Sequence, residues 1–154
     1  MTTPGHRRRS RVPGMYTRAE LEADLGVSTN ELDTLERQKI IVASERRQPG
    51  DTRPVLFSTA DVAIARFAQG ARRFGLRGEQ LREVTARLAT KRRRLLPGWA
   101  GWVVLDDDGD IELVGPGASL DAVMTGAPRS LLAVHIEVPS DNVEADMQED
   151  AMAS

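Results

Sequence analysis

The chain contains no cysteine among its 154 residues. A disulfide framework, cysteine-ligated zinc and thiol redox sensing are therefore excluded. Histidine is nearly as scarce. His6 and His135 lie far apart, and His135 sits in the apolar run 131–138, where a packed strand residue is a plainer role than a ligand. No apolar run approaches the ~18 residues of a membrane span, and no signal-peptide pattern precedes Tyr16, so the expected setting is cytoplasmic and away from membranes. Catalytic patterns are missing too. There is no phosphate-cradling glycine loop, no metal motif and no nucleophile with a histidine base. The expectation is a non-enzyme without cofactor or metal.

What the chain does have is segregated charge. The net charge of −2 hides 20 Lys and Arg against 11 Asp and Glu in residues 1–98, or +9. Residues 99–154 hold a single basic residue, Arg129, against 12 acids, or −11. A basic first part beside an acidic second part suggests nucleic-acid binding by the first.

The stretch from Tyr16 to Phe57 organises this basic part. A short helix is expected over 18–24, with Ala19, Leu21 and Leu25 apolar and Gly26 supplying a left-handed end. Ser28 reads as the N-cap of a second helix over 28–38, and Glu31 completes an S-x-x-E capping box. Leu32, Leu35 and Ile40 give it one buried stripe. Helix, glycine turn and capped helix form the helix-turn-helix plan, whose second helix can enter a DNA major groove. The apolar runs 40–42 and 54–57 flank a polar loop with Arg46, Arg47, Pro49-Gly50 and Arg53, which predicts a hairpin wing with a basic tip.

Tyr16-Thr17, Glu20-Leu21, Gly26-Val27-Ser28, Leu32, Glu36-Arg37, Arg53, Phe57-Ser58 and Asp61-Val62 fall in the order and approximate spacing of the MerR family's DNA-binding domain. The turn Arg73-Phe74-Gly75-Leu76 and the helix over 79–88 are similar to that family's second helix pair, so the resemblance covers roughly residues 15–90. It implies a dimeric winged-helix protein acting on transcription or DNA architecture. One position departs from the family. Asp33 stands where the family carries a base-reading arginine; facing phosphates it would weaken binding, whereas facing a cytosine amine it could read sequence. Suitable chemistry is kept at Thr17, Arg18, Ser28, Thr29, Asn30 and Arg37, and at the wing arginines Arg46, Arg47 and Arg53. Residues 1–14 read as a disordered basic arm whose Arg7, Arg8, Arg9 and Arg11 could follow the minor groove or phosphates.

Beyond the wing, Ser58 and Asp61 signal a cap for a helix running to about Phe74, with Arg66, Arg72 and Arg73 adding charge. Residues 75–78 break it, Arg77 among them, and a last helix is expected from Glu79 to about Leu95, ending at Pro97-Gly98. No heptads follow Leu96, so the long coiled-coil helix of many MerR-type regulators is absent and a dimer must use another surface.

Residues 97–138 read as a small ββαβ unit: strands over 99–105 and 111–114 around an Asp-Gly turn, a short helix over 119–124, and a strand over 131–138. The acidic run Asp106-Asp107-Asp108-Gly109-Asp110 lacks the spacing of a calcium loop and is expected to be that hairpin turn. Residues 139–154 are acidic and expected to be disordered.

The fold class expected is α+β, a MerR-like winged helix-turn-helix over 15–96 followed by the ββαβ unit. The function expected is a sequence-specific transcriptional regulator, a repressor acting as a homodimer on double-stranded DNA at the nucleoid. Its acidic second part would dimerise or meet RNA polymerase or another protein. Arg72, Arg73 and Arg77 would add backbone contacts. Two alternatives keep the same chain: an excisionase-like factor that bends DNA, and an interaction adaptor with a degenerate helix-turn-helix.

Overall fold

A computed structural model describes residues 14–43, 55–115, 117, 119, 121 and 130–140. These residues form an α+β structure of four α-helices and two small antiparallel sheets. The basic arm and the wing loop, with Arg7, Arg8, Arg9, Arg11, Arg46, Arg47 and Arg53, lie outside the described residues, as does the tail from 141.

Strand β1 (Met15–Thr17) leads directly into helix α1 (Arg18–Leu25). Thr17 and Glu20 close a capping box: the Thr17 hydroxyl accepts from the Glu20 amide at 3.2 Å, and the Glu20 carboxylate accepts from the Thr17 amide at 3.0 Å. Gly26 ends the helix at φ 66°, a conformation an L side chain enters only at a cost. Helix α2 (Thr29–Arg37) follows after three residues, Gly26, Val27 and Ser28.

The expected wing strand over 40–42 does not form. Lys39 takes φ 60°, and the amides of Ile40 and Ile41 both turn back to the Leu35 carbonyl, at 2.9 and 3.3 Å. Both isoleucine side chains are buried, so this β-branched run closes the core beneath α2 instead of pairing as a strand. Strand β2 (Leu56–Ser58) does form, overlapping the end of the second expected run, but its partner is β1, with Tyr16 opposite Phe57. The ladder therefore brackets α1 and α2.

Helix α3 (Thr59–Arg73) opens with a second capping box, Ser58 with Asp61, at 3.1 and 2.8 Å. It is the central element, buried along most of its length from Thr59 to Ala71. Helix α4 (Gly78–Ala89) is shorter than its sequence suggests. The chain leaves it through Thr90 into a 3₁₀ turn (Arg92–Arg94), and Leu95 reaches the core from there. Arg92 turns back to the buried Asp61 carboxylate and to Ser58 Oγ.

Strands β3 (Ala100–Asp106), β4 (Ile111–Val114) and β5 (Ser130–Glu137) make the second sheet, with β3 in the middle and both pairings antiparallel. The short helix expected over 119–124 falls mostly outside the described residues. One sheet face, with Val103, Leu105, Ile111, Leu113, Val134 and Ile136, joins the same apolar core as Leu21, Leu32, Phe57 and Phe67. Fully burying a side chain of this size contributes about 1.5–3 kcal/mol. The approach is close: a Cβ on Gly70 of α3 would lie 2.6 Å from Val134 Cγ1.

Polar contacts seal the same junction. Arg66 of α3 donates to both carboxylate oxygens of Asp24, at 2.8 and 2.5 Å, and to the Glu137 carbonyl at 2.5 Å. The hydrogen bond to Asp24 raises the Arg66 pKa above the ordinary arginine value against the opposing effect of burial. Gln69 reaches the Leu25 carbonyl at 2.5 Å, and Arg87 of α4 reaches the Gly109 carbonyl in the β3–β4 turn at 2.6 Å.

Candidate nucleic-acid interface

Helix α2 owes its start to Ser28, whose hydroxyl accepts from the Glu31 amide at 3.1 Å. Only this half of the expected capping box forms among the described residues. Leu32 and Leu35 turn one side of α2 into the core. At about 100° per residue, the opposite side carries Asn30 and Arg37, with Asp33 and Thr34 on its two flanks. Thr29, Asn30, Thr34 and Arg37 are all exposed. Thr34 turns its hydroxyl to the Asn30 carbonyl at 2.9 Å, which leaves Asn30 and Arg37 as the long polar side chains of the outward stripe. They stand seven residues apart, about 10 Å along the axis.

The flank of α2 towards α1 is an ion cluster. Arg18, the first residue of α1, places Nη2 on Asp33 Oδ1 and Nη1 on Glu36 Oε1. Arg18 and Asp33, separate candidates in the sequence, thus engage each other. Glu36 belongs with them, a residue of the family resemblance but not a site candidate in the sequence, although its i+3 spacing from Asp33 puts both on one flank. Thr17 is likewise occupied, as the α1 cap.

The other flank borders a cleft of about 230 Å³ whose lining includes Glu31, Thr34, Gln38, Arg72, Arg77 and Leu81. Arg77 stands at the start of α4, which opens without a side-chain cap, and donates from Nη1 to the Arg72 carbonyl at 2.9 Å. Arg73 is exposed beside them at the end of α3. None of these three arginines forms an ion pair among the described residues. The fold therefore brings two of the three, Arg72 and Arg77, against α2, a juxtaposition that sequence separation conceals. Thr34 and Gln38 complete this flank and carried no signal of their own.

The acidic turn lies elsewhere, between β3 and β4. Asp106, Asp107 and Asp108 hold carboxylate oxygens within 4.8 Å of one another. Asp106 Oδ1 accepts from the Asp108 and Asp110 amides at 3.0 and 2.8 Å, and Gly109 takes φ 84°. These are the features of a tied hairpin turn. Comparison of the chain with protein-family models and with curated proteins gives no match.

Proposed function

We propose that this protein is a sequence-specific, double-stranded DNA-binding transcriptional regulator of MerR-like type, a repressor working as a homodimer. Helix α2 enters the major groove, and Arg72, Arg73 and Arg77 lie along the phosphates on one side of it. The observation that carries this reading is the outward stripe of α2, where an exposed carboxamide and an exposed guanidinium, Asn30 and Arg37, the latter without an ion pair among the described residues, project from a capped helix in a helix-turn-helix. The basic charge of residues 1–98 supports it. Repression is favoured over promoter untwisting because α4 stops at Ala89 and a sheet follows, where a long dimer-forming helix would otherwise extend.

The test is selection of bound DNA from a random pool with the full-length protein at two salt concentrations. A regulator enriches a palindrome or direct repeat and loses affinity as salt rises, because phosphate neutralisation releases counterions. Salt-sensitive binding without enrichment would replace this reading with an architectural, DNA-bending role. No binding at low salt would replace it with a protein-interaction adaptor.

A further inference from the structure

We infer that Arg18 is a positioning residue for base recognition, engaging both Asp33 and Glu36 on one flank of α2 and offsetting half of their negative charge so that Asn30 and Arg37 read the bases. This inference rests on the DNA-binding reading above and goes on to name the base pairs.

Carboxylates on a helix entering a groove are repelled by the phosphates on either side, and like charges brought together across an interface oppose binding strongly. Asp33 and Glu36 present two such groups on the same flank of α2, and Arg18 meets both, one amino nitrogen to each. Its base is fixed. Arg18 follows Thr17, which is held by the α1 capping box and by the β1–β2 ladder opposite Leu56. The guanidinium is thus delivered to α2 from an anchored backbone, and the contact ties the two helices of the motif together. A guanidinium engaged by two carboxylates is a poor phosphate ligand, so Arg18 acts by offsetting the acids of α2 rather than by touching DNA.

With the acids paired, the outward stripe decides specificity. A carboxamide offers a donor and an acceptor that match adenine N7 and N6, and a guanidinium offers two donors that match guanine N7 and O6. The separation of Asn30 and Arg37, about 10 Å along α2, corresponds to about three base-pair steps. The half-site recognised therefore carries an A·T pair and a G·C pair about three steps apart.

The experiment uses the full-length protein on its enriched sequence, over a range of salt, with R18A, the D33N/E36Q pair and the triple variant. R18A is expected to bind roughly tenfold or more weakly, because it bares two carboxylates. The triple variant, lacking both the arginine and the acids, is expected to return to within about threefold of wild type. A triple variant as weak as R18A, with the log–log salt slope reduced by about one, would make Arg18 a phosphate ligand and overturn the inference. Asn30→Ala and Arg37→Ala should each flatten preference at a different position of the motif. Flattening at neither, or at the same one, overturns the base assignment. Wild-type binding without any enriched sequence also overturns the inference while leaving DNA binding intact, whereas no wild-type binding at low salt removes both.

Discussion

Asp61 carries more of the fold than its charge would suggest. Its side chain is 2% exposed, yet it serves the Ser58 amide through one oxygen and Arg92 through the other. It thereby joins the start of α3 to the 3₁₀ turn, 31 residues later in the chain. Removing it deletes half a capping box and leaves Arg92 without this partner. Asp61→Ala is expected to lower stability by about 2 kcal/mol, read from the midpoint of urea unfolding. Arg66 makes the complementary case, a half-exposed arginine whose pKa is raised by Asp24. A raised pKa contributes stability below the unfolded-state value, lost only as pH climbs through the higher folded-state value. Both values lie above ordinary working pH. The stability difference between wild type and Arg66→Ala should accordingly stay flat from about pH 6 to about pH 9. A slope across that range would contradict the assignment.

Among the elements, the contact of α3 with β5 is the tightest to test. Alanine in place of glycine favours a helix interior by about 1 kcal/mol. At Gly70 the sign should reverse, since the new Cβ would meet Val134 at 2.6 Å. Gly70→Ala is expected to destabilise by about 1–3 kcal/mol, and adding Val134→Ala should recover part of that loss, a non-additivity visible in a double-mutant cycle.

The same scale explains what could be read from the sequence. α1, α2 and α3 were legible because their signals are local: Gly26 as a stop for α1, and Ser28 with Glu31 and Ser58 with Asp61 as starts, whereas the Thr17–Glu20 cap emerged only in the fold. The β3–β4 hairpin was legible from Asp108-Gly109 between apolar runs. Ile40-Ile41-Val42 misled because β-branched residues fit a strand and a buried turn equally well, and Lys39 at φ 60° decided for the turn. β1 was invisible as a strand, being three residues long with its partner about forty residues away. The α2 surface was half legible. Asn30 and Arg37 follow from periodicity, whereas the pairing of Arg18 with Asp33 and Glu36 depends on how α1 crosses α2, which no local pattern encodes.

At the scale of the whole molecule, the basic and acidic parts share one interior. Phe67 and Ala71 of α3 belong to the same core as Leu105 and Ile136 of the sheet, on either side of Pro97-Gly98. The expected result in urea is a single cooperative transition, coincident by far-ultraviolet circular dichroism and by fluorescence of Trp99 and Trp102. Two resolved transitions would show that the parts are separable. Deleting residues 99–154 should do more than remove negative charge. It should bare the apolar side of α3 and give a chain that aggregates or loses its cooperative melt, as light scattering and calorimetry would reveal.

β5 comes last in sequence among the described strands, yet it lies directly against the helix around which the rest is built. During synthesis the segment from β1 through α4 is complete in sequence before the sheet that covers it has been made. Until Val134 and Ile136 leave the ribosome, the side of α3 around Gly70 lacks its β5 cover, and exposed apolar surface of this kind favours pairing with wrong neighbours. The acidic half is thus the last to arrive and the one that makes the basic half safe to release.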